Sequence, residues 1–209
     1  MSEKKTEKTP AEKRLEEEFQ RIQLQIADDH PDEAILLADG FEDALIGSCR
    51  ISKFTIAIYD EQKCIDILVL RDGMSHEEAV EYFGFNVTGG YVGEHTPGFV
   101  TLDQTWEDLE EREEWEEQKH NPIADGFKKA FLGSCQIFSN TIAIYDEAKC
   151  VKILAKKAVL HLGALDVAQK TFEAEILAKN TGDNAPGFVR ILRPTPPTVW
   201  PKKEKEKKE

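Results

Sequence analysis

The chain has 209 residues, 40% of them hydrophobic and 32% charged, and a net charge of −13. That length holds one large or two small domains, and that balance reads as a soluble, globular chain with charged tails. No apolar run approaches the roughly 18 residues of a membrane span, and "MSEKKTEKTPAEKR" at the start carries charge without the apolar stretch of a secretory signal, so a cytoplasmic protein with no membrane partner is expected.

Residues 1–10 are expected to form a disordered tail ended by Pro10. From Ala11 to about residue 30 a helix is predicted, because Leu15, Phe19, Ile22 and Ile26 recur on one face. "ADDHPDE" then breaks it at Pro31. A first repeat follows over residues 35–102. "AILLAD" reads as a short strand, Leu45–Ile51 and "FTIAIYD" as two firmer ones. Asp60 caps a helix from Glu61 that stops at Asp72-Gly73. "SHEE" is a capping box opening a second helix, along which Ala79, Val80, Tyr82, Phe83 and Val87 follow at helical spacing until Gly89-Gly90. Phe99–Leu102 closes the unit as a last strand.

Residues 103–122 carry nine acidic and two basic side chains, and read as a solvated, acidic linker helix. Residues 123–192 repeat the first unit. At an offset of 86, residues 38–68 and 124–154 share 20 of 31 identities; after that the copies part, three residues are inserted, and only "PGFV" returns. Residues 193–209, proline-rich and then Lys/Glu-rich, read as an extended, disordered tail. The predicted architecture is α+β: two homologous β-β-α-α-β units packed as a pseudo-dimer, with the N-terminal and linker helices added. Charge supports such a pair. Residues 38–102 hold eleven acidic and four basic groups (−7), whereas residues 124–190 hold seven acidic and nine basic (+2).

Cys49, Cys64, Cys135 and Cys150 fall at equivalent places in the two repeats, without a CxxC pair or a suitably spaced histidine. They are expected to be buried, reduced thiols rather than zinc ligands; pairing of Cys49 with Cys64, or Cys135 with Cys150, is expected only in an oxidising compartment. Asp39, Glu42, Asp43 and Asp60 offer carboxylates, but Lys128 and Lys129 stand where the first repeat has Glu42 and Asp43, which argues against a shared metal site. No metal and no cofactor are expected. The P-loop, dinucleotide-binding, nucleophile-elbow and HExxH patterns do not occur.

The candidate site is the loop "FNVTGGYVGEHTPGF", with Asn86, Tyr91, Glu94, His95 and Thr96. Its glycines permit tight turns or close approach to a ligand, and a histidine beside a carboxylate suits acid–base work. Lys128 and Lys129 can add positive charge, while Glu113 and Glu114 of the linker offer an acidic partner surface. Acidity in the first half argues against direct nucleic-acid binding.

The segments "DGFEDALIG", "KCIDIL", "RDGM", "EEAVEYFGFNV" and "YVGEHTP" resemble an uncharacterised family of small proteins of tailed phages and bacteria, over residues 39–100, with the second copy as a degraded member. The resemblance implies a phage or mobile-element accessory protein and carries no activity. The leading reading is a non-enzymatic tandem-repeat binding protein acting on an unidentified protein partner. The alternatives are a protein holding a small, nucleotide-like ligand between the repeats, a hydrolase using Glu94 and His95, and a virion structural protein.

Overall fold

The computed structural model describes residues 9–90, 92–102, 122–137, 140–157, 164–182 and 185–192. Tyr91, the acidic segment with Glu113 and Glu114, and the C-terminal tail lie outside them. Chain order is α1 (Pro10–Asp29), a 3₁₀ turn (Glu42–Ala44), β1 (Leu45–Ile51), β2 (Phe54–Asp60), α2 (Glu61–Asp72), α3 (His76–Tyr82), a π-helical turn (Phe83–Thr88) and β3 (Gly98–Thr101). The second half adds a 3₁₀ segment (Pro122–Ala130), β4 (Phe131–Ile137), β5 (Asn140–Asp146), α4 (Glu147–Lys157), α5 (Ala164–Thr171), a π-helical turn (Phe172–Leu177) and β6 (Gly187–Ile191).

Local signals set the helix ends. Asp60 accepts from Lys63 N at 3.2 Å, and Asp146 from Lys149 N at 3.0 Å, each receiving a backbone donor that the helix start leaves unpaired. Gly73, at φ 70°, turns the chain out of α2 in the left-handed region that a side chain disfavours. Ser75 and Glu78 form a reciprocal capping box on α3.

The six strands close into one barrel in the order β1-β2-β3-β4-β5-β6. This corrects the expected fold of two packed β-β-α-α-β units. Each half supplies only three strands, whose outer edges, β1 and β3 or β4 and β6, pair with the other half. β6 runs antiparallel to β1 from Gly47 opposite Ile191 to Ile51 opposite Gly187. β3 meets β4 with Val100 opposite Cys135 and Thr101 opposite Ser134. Within each half the last strand lies parallel to the middle one, after a helical crossover. "AILLAD" is likewise corrected: it forms no strand, because both edges of β1 are already taken, by β2 and by β6. Ile35, Leu37 and Ala38 instead fill the first outer core, and Ala38 N donates to the buried Tyr59 hydroxyl at 2.9 Å.

Strand alternation separates two environments. Ile56, Ile58, Val100, Ile142, Ile144 and Val189 point inward and fill the barrel with Cys49 and Cys135. Ala57, Tyr59 and Phe99 point outward under α1–α3, and Ala143, Tyr145 and Phe188 do so under α4 and α5. Phe83 meets Phe99 edge-on at 5.0 Å, as Phe172 meets Phe188 at 5.1 Å. The shared "GSC" carries a bulge in both copies, between Leu45 and Gly47 and between Phe131 and Gly133. The bulge lets Ile46 and Cys49 both face inward despite their odd spacing. It also brings the neighbouring strand close: a Cβ on Gly47 would sit 2.1 Å from the Arg190 carbonyl oxygen, and one on Gly133 2.0 Å from that of Thr101. Across the β1–β6 seam, α1 acts as a brace. Ile22 and Ile26 share a core cluster with Leu192, Arg21 donates to the Leu192 carbonyl at 3.1 Å, and Asp29 pairs with Arg190 at 3.1 Å. Leu15, predicted on the same face as these, is exposed.

All four cysteines are buried and unpaired. Burial pushes the Cys135 thiol up to about 12 and holds those of Cys49, Cys64 and Cys150 well above the ordinary thiol value. The native protein at pH 8 is therefore expected to leave all four unmodified by an aromatic disulfide reagent and to expose four on unfolding; rapid labelling of the folded chain would contradict this. Gly47→Ala and Gly133→Ala are each expected to lower stability by roughly 3 kcal/mol in urea unfolding, from the forced contact at the seams. Gly84→Ala, with nothing within 4 Å of the added carbon, is expected to be near neutral.

Candidate functional site

In the glycine-rich loop, Thr96 is occupied by the loop itself. Thr96 Oγ1 donates to the Gly93 carbonyl at 2.6 Å and accepts from Val92 N at 3.1 Å. Gly93 has φ 123°, a backbone state open to glycine. Asn86 donates back to the Tyr82 carbonyl at 3.1 Å, across the π-helical turn. Glu94 is exposed.

His95 turns away from Glu94 toward the start of β2. Its Nδ1 lies 2.7 Å from the Thr55 carbonyl, and since a carbonyl only accepts, Nδ1 carries the proton. Glu33 Oε2 stands 4.0 Å from the same nitrogen. Glu33 also accepts from Thr55 N and Thr55 Oγ1, each at 2.9 Å, and stands 3.5 Å from His30 Nδ1. Phe54 packs edge-on to the His95 ring at 6.3 Å. The group clasps three segments together: the end of α1, the first hairpin and the approach to β3.

Lys128 and Lys129 are exposed in the segment before β4. Phe131, the first residue of β4, lies opposite Tyr145, near the end of β5. His95 lies by the first residues of β2. The register thus sets the lysines and His95 at opposite ends of the barrel and does not bring them together. Beside β6, Arg190 bridges Asp29 and Glu147, the latter at 3.3 Å, and Gln169 donates to Glu147 and Glu173 at 3.4 and 2.9 Å. In this open cleft the arginine is paired on both sides. Among the described residues no cluster of three or more His, Cys, Asp or Glu side chains is placed to hold a metal ion, and no helix is long and apolar enough to cross a membrane.

A different surface emerges from superposing the halves in sequence. From Ala79 onward the copies correspond at a constant offset of 89, which the sequence comparison missed: Ala79 matches Ala168, Phe83 matches Phe172, and both π-helical turns coincide. Gly93 and Gly182 share positive φ, at 123° and 103°. Buried positions keep their character, as in Cys64/Cys150 and Phe83/Phe172. The exposed apolar positions of α2, α3 and the adjoining loop do not. Leu70 (85% exposed) matches Lys156, Val80 matches Gln169, Tyr82 matches Thr171, Phe85 (83% exposed) matches Ala174, and Val92 matches Thr181. The outer face of the first half thus presents Leu70, Tyr82 and Phe85 to solvent beside Glu77 and Glu81. Position-by-position alignment of the two copies is the signal that would have found it.

No family model, curated protein or solved structure matches this chain.

Glu33→Ala leaves the buried Thr55 amide without its acceptor and is expected to cost about 2 kcal/mol in urea unfolding. Glu94→Ala is expected to stay within about 0.5 kcal/mol. Equal effects would remove the clasp from the account.

Proposed function

We propose that the protein is a non-enzymatic binding module that engages a protein partner through the outer face of α2 and α3. One observation carries this reading: two large apolar side chains, Leu70 and Phe85, stand more than four-fifths exposed where the other half places a lysine and an alanine. Selection for folding alone does not ask for them, because the equivalent helices fold without them. Large exposed apolar side chains beside charged ones are common at protein contacts, with aromatic side chains as anchors. The acidic residues around the patch favour a partner with a basic rim. Glu94 and His95 support the hydrolase reading less well, because the histidine faces Glu33 and Thr55 instead.

Burying a Phe or Leu side chain contributes about 1.5–3 kcal/mol, so Phe85→Ala is expected to weaken partner binding by about tenfold to a hundredfold. A photo-crosslinking phenylalanine analogue at position 85, used in cells, should give a discrete protein adduct. The same analogue at Leu24, an exposed residue of α1 (66%), should not. Equal or absent adducts at both positions would sink the reading.

A further inference from the structure

The two outer faces are one surface built twice, with the charge reversed at two positions, although the second also carries Asp166, Glu173 and Glu175. Asp66 on α2 corresponds to Lys152 on α4, and Glu81 on α3 to Lys170 on α5. Lys156 and Lys179 stand where the first half has Leu70 and Gly90. Glu77, Glu81, Lys152, Lys156 and Lys170 are all exposed. Both faces also carry apolar side chains: Leu70, Tyr82 and Phe85 on the first, Leu165 and Val167 on the second. Taken whole, residues 38–102 carry −7 and residues 124–190 carry +2.

We propose that the α2/α3 face of one chain docks on the α4/α5 face of a second copy. This rests on the reading of the first-half face as a docking surface and names its occupant. Charge complementarity selects this pairing. Two first faces brought together would set Asp66, Glu77 and Glu81 against their own kind, and two second faces would oppose Lys152, Lys156 and Lys170; like charges face to face disfavour both pairings. Only the unlike pairing sets the acids of the first face against the lysines of the second. Because the two faces lie on different parts of the same chain, the contact is head-to-tail. A docked pair leaves one face of each kind free, so association continues into a ring or an open chain.

Sedimentation velocity of the full chain over a concentration series tests this. At low ionic strength, where the Debye length is about 30 Å, oligomers larger than dimers are expected; at 1 M salt, where it is about 3 Å, they should recede toward monomer. Two variants sharpen the test. Leu70→Lys with Glu81→Lys places on the first face what the second already carries, and Lys152→Asp with Lys170→Glu does the reverse. The other half shows that the helices accommodate each residue. Each variant alone should sediment as monomer. Their mixture should associate again, as oligomers in which the two variants alternate, since one then presents two basic faces and the other two acidic ones. A wild-type chain that stays monomeric at low salt overturns the proposal, as does a variant that associates like wild type or a mixture that stays monomeric. The docking reading is judged separately. A crosslink from position 85 to a different protein, with a monomeric wild type, keeps that reading and discards self-association.

Discussion

A three-stranded sheet with two bare edges leaves backbone donors and acceptors unpaired along both sides, and each half of this chain makes such a sheet. The rest of the structure follows from how those edges are closed. β6 covers β1, β4 covers β3, and the barrel has no edge left. Glycine at Gly47 and Gly133 is what lets the strands approach at those seams. This explains why "GSC" recurs: the repeated segment is the part of each half that must fit the other. Freed from the seam, the outer helices could diverge, and they did so in charge and in exposed apolar content.

Closure also divides the protein chemically. The lumen is filled with Ile, Val and Cys: an added carbon on Gly98 or Gly187 would already meet a neighbouring side chain within 3 Å, Ile58 for the first, Ile144 and Cys49 for the second. A small barrel of this kind is a packed core. Chemistry and contact are therefore left to the rims and the outer helices. At the rims, His95, Glu33, Arg190 and Asp29 spend their hydrogen-bonding capacity on holding segments together. The outer face of the first half carries the most exposed large apolar side chains among the described residues, Leu70 and Phe85.

Much of the local structure was legible. Asp60, Gly73, Ser75 and Glu78 act within a few residues of the helix ends that they set, so their meaning does not depend on the rest of the chain. β1 and β2 were legible from β-branched content and the short turn between them. Closure was not, because the pairing of residues 47–51 with 187–191 joins the first half to the last strand, and nothing local encodes it. The same blindness misplaced "AILLAD", whose apolar residues fit a strand that has no edge to join. Val80 and Tyr82 were read among the helix's apolar positions; in the structure Ala79 and Phe83, four residues apart, take the buried face, and Val80, Tyr82 and Phe85 fall outside it. Of the candidate residues, His95 was singled out for its neighbour in sequence, the carboxylate of Glu94. Its carboxylate proved to be Glu33, distant in sequence.

The claim on which the account depends is that neither half has a core that stands without the other. Native-state hydrogen exchange over a urea series measures this directly, through amides at both seams and in both halves. The Leu192 amide, bonded to the Ile46 carbonyl at 3.0 Å, and the amides of β2 and β5 should exchange through one global opening with a common free energy and urea dependence. If the amides of β1–β2 and those of β4–β5 opened at separate free energies, each half unfolding while the other kept its protection, the shared barrel would be contradicted.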